Sequence, residues 1–166
     1  MLTPEYVFQD VTRITPEFLK QKKIKALLLD VDNTLTTHGS QQLSQPIAQW
    51  LETMKQAGIR MAIVSNNTEK RVEPFANKIG LQFVSMACKP LPNGLAKARR
   101  ILGVCRHEIA LVGDQIFTDR LAGAFYSIPV LVVEPLEKDI KKGILFRRKL
   151  EKPFFDKFRK KGGKIL

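Results

Sequence analysis

Two acidic residues stand at the end of an apolar run in the segment KALLLDVDNTLTTHG, which extends from Lys25 to Gly39. Asp30 ends the run, and Asp32 follows two positions later. A carboxylate in such a place can attack phosphorus and form an aspartyl phosphate, which divides one difficult displacement into two. A second carboxyl can give a proton to the leaving alkoxide and later take one from water. The pair therefore predicts that Asp30 is a nucleophile and that Asp32 is a general acid and base.

Such a site needs positive charge, because a carboxylate and a phosphate dianion repel each other. Mg²⁺ is suited to this task, since this hard cation binds a few protein carboxylates together with phosphate oxygens. Asp30 and Asp114 are candidate side-chain ligands, and the backbone carbonyl of Asp32 is a candidate third ligand. Lys89 is expected to add a fixed positive charge beside the phosphate or the nucleophile.

Other polar residues have the chemistry to hold a phosphoryl group and the loops around it. Ser65 and Asn66, with neighbouring backbone N–H groups, are predicted to donate hydrogen bonds to the phosphate oxygens. Thr34 is expected to fix the loop after the first acidic pair. Asp119 is expected to orient either the water ligands of the metal or the ammonium group of Lys89.

The chain around these residues alternates strand-like and helix-like segments. Five short runs are continuously apolar, which is typical of parallel strands buried on both faces. These runs are Ile24–Leu29, Ile59–Val64, Leu81–Met86, Ile109–Val112 and Pro129–Val133. The helical patterns between them are Ser44–Lys55, Thr68–Lys78, Asn93–Leu102 and Thr118–Phe125. The alternation predicts an α/β fold with right-handed crossovers, and Pro74 is expected to bend or restart the second helix.

The predicted sheet would gather the polar groups at one edge, because ligands of parallel sheets bind beyond the carboxyl ends of the strands. The groups that follow the first four strands are Asp30 with Asp32, Ser65–Asn67, Cys88–Pro90 and Gly113–Asp119. Each group alone is typical of a turn or a helix cap. Their combination, in order and each after its own strand, favours a catalytic site.

The segments DVDNT, SNN, KP and GDQIFTD, in this order, resemble the four motifs of the haloacid dehalogenase (HAD) superfamily of phosphohydrolases. The resemblance implies that Asp30 is the nucleophile and Asp32 the acid and base. It implies that Ser65 and Lys89 contact the phosphate, and that Asp30, Asp32 and Asp114 hold Mg²⁺. A Rossmann-like three-layer α/β/α fold with a mostly parallel sheet is implied as well. An acidic residue two positions after the nucleophile is the pattern of phosphatases in this superfamily, and dehalogenases lack it.

Many members of this superfamily carry a cap domain after the first motif or between the second and third. Here these intervals, Thr37–Ser44 and Asn66–Cys88, are too short to hold a folded cap. We therefore expect a capless enzyme whose open site admits a large or surface-bound substrate, with no lid to exclude water. His38 either contacts a substrate headgroup or is an ordinary exposed histidine. A neighbouring subunit in a homo-oligomer is an alternative source of the missing wall.

The whole chain also resembles the bacterial YqeG group of subfamily IIIA, which is similar to mitochondrial and plastid phosphatases acting on phosphatidylglycerophosphate. This resemblance implies a lipid phosphate monoester as substrate and phosphatidylglycerol as product. One alternative is a capless phosphatase of nucleic-acid ends, phosphoproteins or soluble phosphates. Another is a basic module that binds RNA or a ribosomal partner without catalysis. No interleaved aromatic platform is visible in the core, so nucleic acid is not expected as an obligatory partner.

Charge is concentrated near the end of the chain. The 166 residues carry a net charge of +12 and are expected to form one domain over residues 1–166, to which a basic tail over residues 136–166 belongs. This tail has twelve basic and four acidic residues, a net charge of +8. The apolar residues interspersed in it are Ile140, Ile144, Leu145, Phe146, Leu150, Phe154, Phe155 and Phe158. The tail either binds an anionic membrane surface or packs on the sheet as a helix, and Pro153 is expected to break any single long helix.

Other features of the sequence indicate where in the cell the protein is expected. No apolar run approaches the ~18–20 residues that a membrane span requires. The first residues, MLTPEYVFQD, lack the basic and apolar regions of a secretory signal. Cys88 and Cys105 do not make a disulfide framework. We therefore expect a cytoplasmic protein, with peripheral attachment to the inner face of the membrane as the setting for a lipid substrate.

Overall fold

The computed structural model describes residues 1–138 and 142–166. Its sheet has six parallel strands in the order β1-β6-β5-β2-β3-β4. The strands are β1 (Tyr6–Phe8), β2 (Ala26–Leu29), β3 (Arg60–Val64), β4 (Gln82–Val84), β5 (Ile109–Gly113) and β6 (Val130–Val133). The last five confirm the predicted strands within two residues at each end. The first, β1, was not predicted and pairs with β6 at the edge of the sheet.

Within residues 1–138 and 142–166, six α-helices accompany the strands. They are α1 (Pro16–Gln21), α2 (Gln45–Gln56), α3 (Glu69–Ile79), α4 (Asn93–Leu102), α5 (Leu121–Tyr126) and α6 (Lys142–Lys160). The expectation that Pro74 would restart a helix is wrong, because α3 continues through it as one element. Burial of Val72, Phe75 and Ile79 on the core side of α3 outweighs the cost of about 3 kcal/mol for an interior proline. A π-helical turn, Ile116–Arg120, precedes α5 where the sequence predicted a regular helix.

The helices cover both faces of the sheet, which makes three layers. Leu27 and Leu29 pack with Trp50 of α2 and Phe75 of α3 in one core cluster. Leu28, from the opposite face of β2, packs in a second cluster with residues of α4, α5 and α6. Every strand with both faces covered needs apolar side chains at each position, so the strands appear in the sequence as unbroken apolar runs. The predicted α/β/α architecture is confirmed.

The basic tail contains a long helix, which agrees with the alternative that the tail packs on the sheet as a helix. The expectation that Pro153 would break it is wrong, since α6 runs from Lys142 to Lys160 with Pro153 inside. Ile144 and Phe158 are buried on its inner face, and this packing offsets the lost backbone hydrogen bond. Of the apolar tail residues named above, Ile140 lies outside the described residues. Across the two described segments, no helix has the length and apolar character to cross a membrane.

The order of the strands fixes where a site can form. Strand β2 lies between β3 and β5, and its last residue, Leu29, is level with Ile63 on one side and Val112 on the other. The backbone N–H of Asp30 then donates to Val112 O at 2.9 Å. From β2 the chain first builds β3 and β4 on one side of β2. It then crosses to the other side of β2 and adds β5 and β6 there. Such a switch point leaves a crevice at the carboxyl ends of the strands, beside Asp30.

Candidate active site

Three buried side chains from three strand ends form the centre of the site. Asp30 follows β2, Lys89 lies in the loop after β4, and Asp119 lies in the turn after β5. The Lys89 ammonium group donates to Asp30 Oδ1 at 2.9 Å and to Asp119 Oδ1 at 2.6 Å. Burial alone would lower the pKa of Lys89, but Asp119 and Asp30 raise it above its ordinary value. Lys89 therefore holds a fixed positive charge between two carboxylates.

Asp114 completes a group of three buried carboxylates at this edge of the sheet. One carboxylate oxygen each from Asp30, Asp114 and Asp119 lies within 4.8 Å of the other two. Burial raises the pKa of Asp30 to about 6, although Lys89 lowers it in part. Burial raises the pKa of Asp114 to about 8, against the opposing effect of Arg148. The group is short of compensating positive charge, and this donor set suits a hard divalent cation such as Mg²⁺.

The carboxylate of Asp32 is not part of this group, although the residue lines the same cavity. Its Oδ1 accepts hydrogen bonds from the Gly39 backbone N–H at 2.7 Å and from Arg71 Nη2 at 2.9 Å. Its Oδ2 accepts a hydrogen bond from Asn67 Nδ2. The structure thus places Asp32 at the cavity wall, in an ion pair with α3. The contribution of its backbone carbonyl to a metal stays a prediction.

Ser65 and Asn66, the residues expected to bind phosphate, have different surroundings. Ser65 is buried at the end of β3, and its Oγ accepts from the Asn67 backbone N–H at 3.1 Å. A hydroxyl that accepts one bond still has a proton to donate. The Asn66 amide instead bonds to the backbone of Lys89, donating to its carbonyl at 2.8 Å and accepting from its N–H at 2.6 Å. Asn66 therefore fixes the loop that carries Lys89, and its direct contact with phosphate stays a prediction.

Thr34 and Asp119, expected to support the site, lie against the carboxylate group. Thr34 is fully buried, and its Oγ1 donates to Asp114 Oδ1 at 3.5 Å. Asp119 Oδ2 accepts from the Gln115 backbone N–H at 3.2 Å. Asp119 packs so closely on Gly113 that a Cβ at that position would overlap its carboxyl group. A glycine at the end of β5 is therefore needed for Asp119 to reach Lys89.

A cavity of about 420 Å³ opens over these residues. Ser65 and Lys89 line it, together with Gly143, Ile144 and Arg147 of α6. The C-terminal helix thus forms one wall of the cavity, and access for a large or surface-bound substrate stays a prediction. His38 also lines the cavity with an exposed side chain, while its backbone N–H donates to Glu137 Oε1 at 3.1 Å.

A larger cavity, of about 910 Å³, lies at the opposite edge of the sheet. Two of its charged residues, Lys25 and Glu108, pair with each other at 2.5 Å. A third, Arg60, donates to the carbonyl of Leu102 at 2.9 Å. Because Lys25 and Arg60 are exposed and all three groups are bound to protein partners, we expect the chemistry in the smaller cavity, where the buried charges lie.

Three residues near the site escaped the sequence analysis. Arg148 pairs with Asp114, and Glu151 contacts Arg148 from the next turn of α6. Arg71 of α3 pairs with Asp32. In the sequence Arg148 stands in a dense basic run, where neighbouring Arg and Lys residues have the same chemistry. Arg148 and Glu151 are three residues apart, and opposite charges at this spacing pair on a helix. This spacing was the signal in the sequence that could have identified the ion pair.

The raised pKa values predict how the stability of the metal-free protein depends on pH. Asp30 and Asp114 have ordinary pKa values of 3.8, and burial raises them to about 6 and about 8 in the folded state. A carboxyl whose pKa is higher in the folded state than in the unfolded state stabilises the fold at pH values below its unfolded-state pKa. This stabilisation is lost as the pH rises through its folded-state pKa. Thermal unfolding in a chelator should therefore occur at a lower temperature at about pH 8.5 than at about pH 5.

Added Mg²⁺ should raise the unfolding temperature more at the higher pH, because ligand carboxyls must be deprotonated. Asp114→Asn should flatten the pH dependence, since it removes the group that titrates last. An equal Mg²⁺ effect at both pH values would contradict the assignment of these carboxyls to the metal.

The family of the chain follows from comparison with known proteins. Residues 39–125 match a family model described as haloacid dehalogenase-like hydrolase. The protein named Probable phosphatase YqeG, from Bacillus subtilis, is 31% identical over 159 residues, which cover 96% of this chain and 92% of that one. The chain therefore belongs to the haloacid dehalogenase-like hydrolase family, and it is a phosphatase. The family model begins after Asp30 and Asp32, so their catalytic roles stay predictions.

Two more distant similarities extend this result. Phosphatidylglycerophosphate phosphatase 1, chloroplastic/mitochondrial, from Arabidopsis thaliana is 26% identical over 169 residues. The match covers 96% of this chain but 49% of that protein, so the chain spans about half the length of this relative. A crystal structure of 4-nitrophenylphosphatase from Thermotoga maritima shares the fold, with a TM-score of 0.53 and 14% identity, over 72% of this chain and 89% of that one.

Proposed function

We propose that the protein is a Mg²⁺-dependent phosphomonoester hydrolase that works through an aspartyl phosphate on Asp30. The observation that carries this proposal is the position of Asp30, which lies against Lys89 and within 4.8 Å of two more buried carboxylates, Asp114 and Asp119. A nucleophilic carboxylate, a fixed cation and a metal-binding group at one point are the parts that phosphoryl transfer needs. Asp30 and Asp114, with the backbone carbonyl of Asp32, would hold the Mg²⁺, which when bound neutralises charge on the phosphoryl oxygens.

In the first step an Asp30 carboxylate oxygen bonds to phosphorus, and the bond between phosphorus and the leaving oxygen breaks. Asp32 gives its proton to that oxygen, which leaves as an alcohol. Lys89 and the Ser65 hydroxyl donate hydrogen bonds to the phosphoryl oxygens, where negative charge is spread during transfer.

In the second step a water molecule attacks phosphorus. Asp32, now a carboxylate, takes a proton from this water, and the bond between phosphorus and the Asp30 oxygen breaks. Inorganic phosphate leaves, Asp30 is again a carboxylate, and Asp32 is again protonated. Both carboxyls are thus restored after one turnover.

The contacts of Asp32 add a requirement to these two reaction steps. Its two oxygens accept bonds from Arg71, Asn67 and the Gly39 N–H. Proton transfer to a leaving group therefore requires Asp32 to take up a proton and to exchange one of these bonds for a bond to the substrate. Catalytic hydrogen bonds are often formed only in the enzyme–substrate complex, so the ligand-free geometry is compatible with this role.

We propose a phospholipid phosphate monoester, phosphatidylglycerophosphate, as the substrate. The name of the Arabidopsis relative supports this choice. Two segments that line the cavity support it independently, because both of them also carry large exposed apolar side chains. We use the name apolar rim for five of these exposed residues. They are Met86 and Leu91, in the loop that carries Lys89, and Leu145, Phe146 and Leu150, in α6.

The apolar rim has the composition of a surface that lies on an anionic membrane. Lys142, Arg147 and Lys149 are exposed on the same helix as Phe146. Each basic side chain near an anionic leaflet contributes on the order of 1 kcal/mol, and exposed aromatic side chains insert at the interface. An enzyme bound in this way would reach a lipid headgroup without removing the lipid from the membrane. Peripheral attachment to a membrane is therefore part of the proposal.

Phosphate release from four classes of substrate tests the proposal. The substrates are phosphatidylglycerophosphate in mixed micelles, glycerol phosphate, a 5′-phosphorylated oligonucleotide and a phosphopeptide, each with Mg²⁺. We expect kcat/KM for the lipid to exceed the others by about 10²-fold or more, a ratio that corresponds to about 3 kcal/mol. Phe146→Ser should lower the ratio of lipid activity to glycerol phosphate activity, because it removes an exposed apolar group from the helix that lines the cavity.

A preference for the oligonucleotide would replace the lipid by a nucleic-acid end as substrate, which the net charge of +12 also suits. Activity on none of the four, together with failure to bind Mg²⁺, would contradict the enzymatic proposal itself. Phe125→Ser, which removes an exposed phenylalanine from α5, a helix that does not line the cavity, serves as the matched control for Phe146→Ser.

A further inference from the structure

The C-terminal helix α6 is tied to the carboxylate group by one arginine. Arg148 Nη1 donates to the backbone carbonyl of Asp114 at 2.6 Å. Arg148 Nη2 forms an ion pair with Asp114 Oδ2, while the Asp114 side chain is fully buried. The planar guanidinium thus contacts both the backbone and the side chain of one residue, a geometry that a lysine cannot reproduce.

The guanidinium is itself oriented by a second buried group. Glu151 is only 1% exposed, and its Oε2 accepts from Arg148 Nη1 at 3.2 Å. Its Oε1 accepts from the backbone N–H of Ile116 at 2.8 Å and of Phe117 at 3.3 Å. Both of these N–H groups belong to the turn that follows Asp114. Glu151 therefore fixes Arg148 and the turn relative to each other.

Apolar contacts hold the helix in the same register. The rings of Phe117 and Phe154 lie edge to face with centroids 5.8 Å apart. Ile144 and Phe158 are buried on the same helix, near its two ends. The position of Arg148 over Asp114 is thus set by packing along the length of α6.

We propose that Arg148 is a positioning residue for the metal site, held in place by Glu151, so that the C-terminal helix is a part of the Mg²⁺ site. This inference rests on the proposed function. Arg148 engages Asp114 Oδ2, while Asp114 Oδ1 lies 3.5 Å from the Thr34 hydroxyl. A carboxylate held at one oxygen and at its own backbone carbonyl has little freedom to rotate, and it presents its other oxygen to the cation.

Two effects of opposite sign act on Mg²⁺ affinity when Arg148 is changed. Loss of positioning weakens binding, whereas loss of a positive charge beside a cation strengthens it. Arg148→Lys separates the two effects, because it keeps the charge and removes the fork. Partners that orient a metal ligand typically change affinity by about 10- to 100-fold when they are altered. We therefore expect Arg148→Lys to weaken Mg²⁺ binding by about 10-fold or more.

The measurement is Mg²⁺ binding to the full chain by isothermal titration calorimetry, with the Mg²⁺ dependence of phosphate release recorded beside it. Arg159→Lys is the matched control, because Arg159 lies on the same helix and faces Asp156 at 3.8 Å in an exposed pair. The control should bind Mg²⁺ as the unchanged protein does. In Arg148→Lys, kcat should recover at high Mg²⁺ concentration, since a positioning defect is overcome by mass action whereas a damaged fold is not.

Glu151→Gln provides a second test that does not alter Arg148. It removes the charge that orients the guanidinium and should weaken Mg²⁺ binding in the same direction, which keeps the proposal testable if Arg148→Lys fails to fold. Unchanged or tighter Mg²⁺ binding in the folded variants would overturn the inference about Arg148 and leave the proposed function intact. Failure of the unchanged protein to bind Mg²⁺ would instead overturn the metal site of the proposed function.

Discussion

Replacing Asp30 by Asn is expected to lower kcat by at least about 10³-fold on every substrate that the enzyme accepts. The amide keeps the size of the side chain but cannot form the acyl phosphate. The fold should tolerate the change, because burial disfavours the charged form of Asp30 and raises its pKa to about 6. Metal-free Asp30→Asn should therefore unfold at the same temperature as the unchanged protein or at a higher one near pH 8.

Asp156→Asn is the control for this substitution. Asp156 is partly exposed on α6 in a surface pair with Arg159, and its loss should leave kcat unchanged. The comparison needs phosphate release at saturating Mg²⁺ and thermal unfolding of both variants. A folded Asp30→Asn protein that retained a tenth or more of the activity would mean that another group attacks phosphorus.

Replacing Asp32 by Asn is expected to have the second largest effect and to separate the two chemical steps. Loss of a general acid and base typically costs about 10²- to 10⁴-fold. With a poor leaving group such as an alkyl alcohol, both steps should slow. With 4-nitrophenyl phosphate, whose leaving group needs little protonation, the first step should continue while hydrolysis of the phosphoenzyme slows.

Rapid mixing of Asp32→Asn with 4-nitrophenyl phosphate should therefore give a burst of nitrophenol close to one equivalent per active site. The same variant should release nitrophenol slowly afterwards, at the rate of phosphoenzyme hydrolysis. Equal slowing for good and poor leaving groups, without a burst, would assign Asp32 to substrate binding through its contacts with Arg71 and Asn67 instead.

The sequence was most informative where burial is complete. Strands β2, β3, β5 and β6 are buried almost throughout, so each appears as an apolar run, and Asp30 is recognisable as the polar residue that follows the first of them. Strand β1 has three residues and depends on pairing with β6, a contact that no local pattern encodes. The ends of predicted strands also shifted by up to two residues, because hydrogen bonding to the neighbouring strand defines them.

Helix α6 illustrates what the sequence could not supply. Pro153 predicted a break in any long helix of the tail, whereas the buried contacts of Ile144, Glu151 and Phe158 hold one continuous helix. The pairing of Arg148 with Asp114 joins residues 34 positions apart. A contact between such distant residues depends on the tertiary fold, so the sequence revealed the residues that carry the chemistry better than those that hold them in place.

The central claim is that phosphorus is transferred to Asp30, and trapping the phosphoenzyme tests it most directly. The Asp32→Asn protein would be mixed with substrate and Mg²⁺, quenched in acid, digested and analysed by peptide mass spectrometry. The account predicts one phosphate on the peptide that contains Asp30, sensitive to hydroxylamine and absent when Asp30 is also replaced by Asn. Full turnover with no phosphate on this peptide, or with phosphate on a different residue, would contradict it.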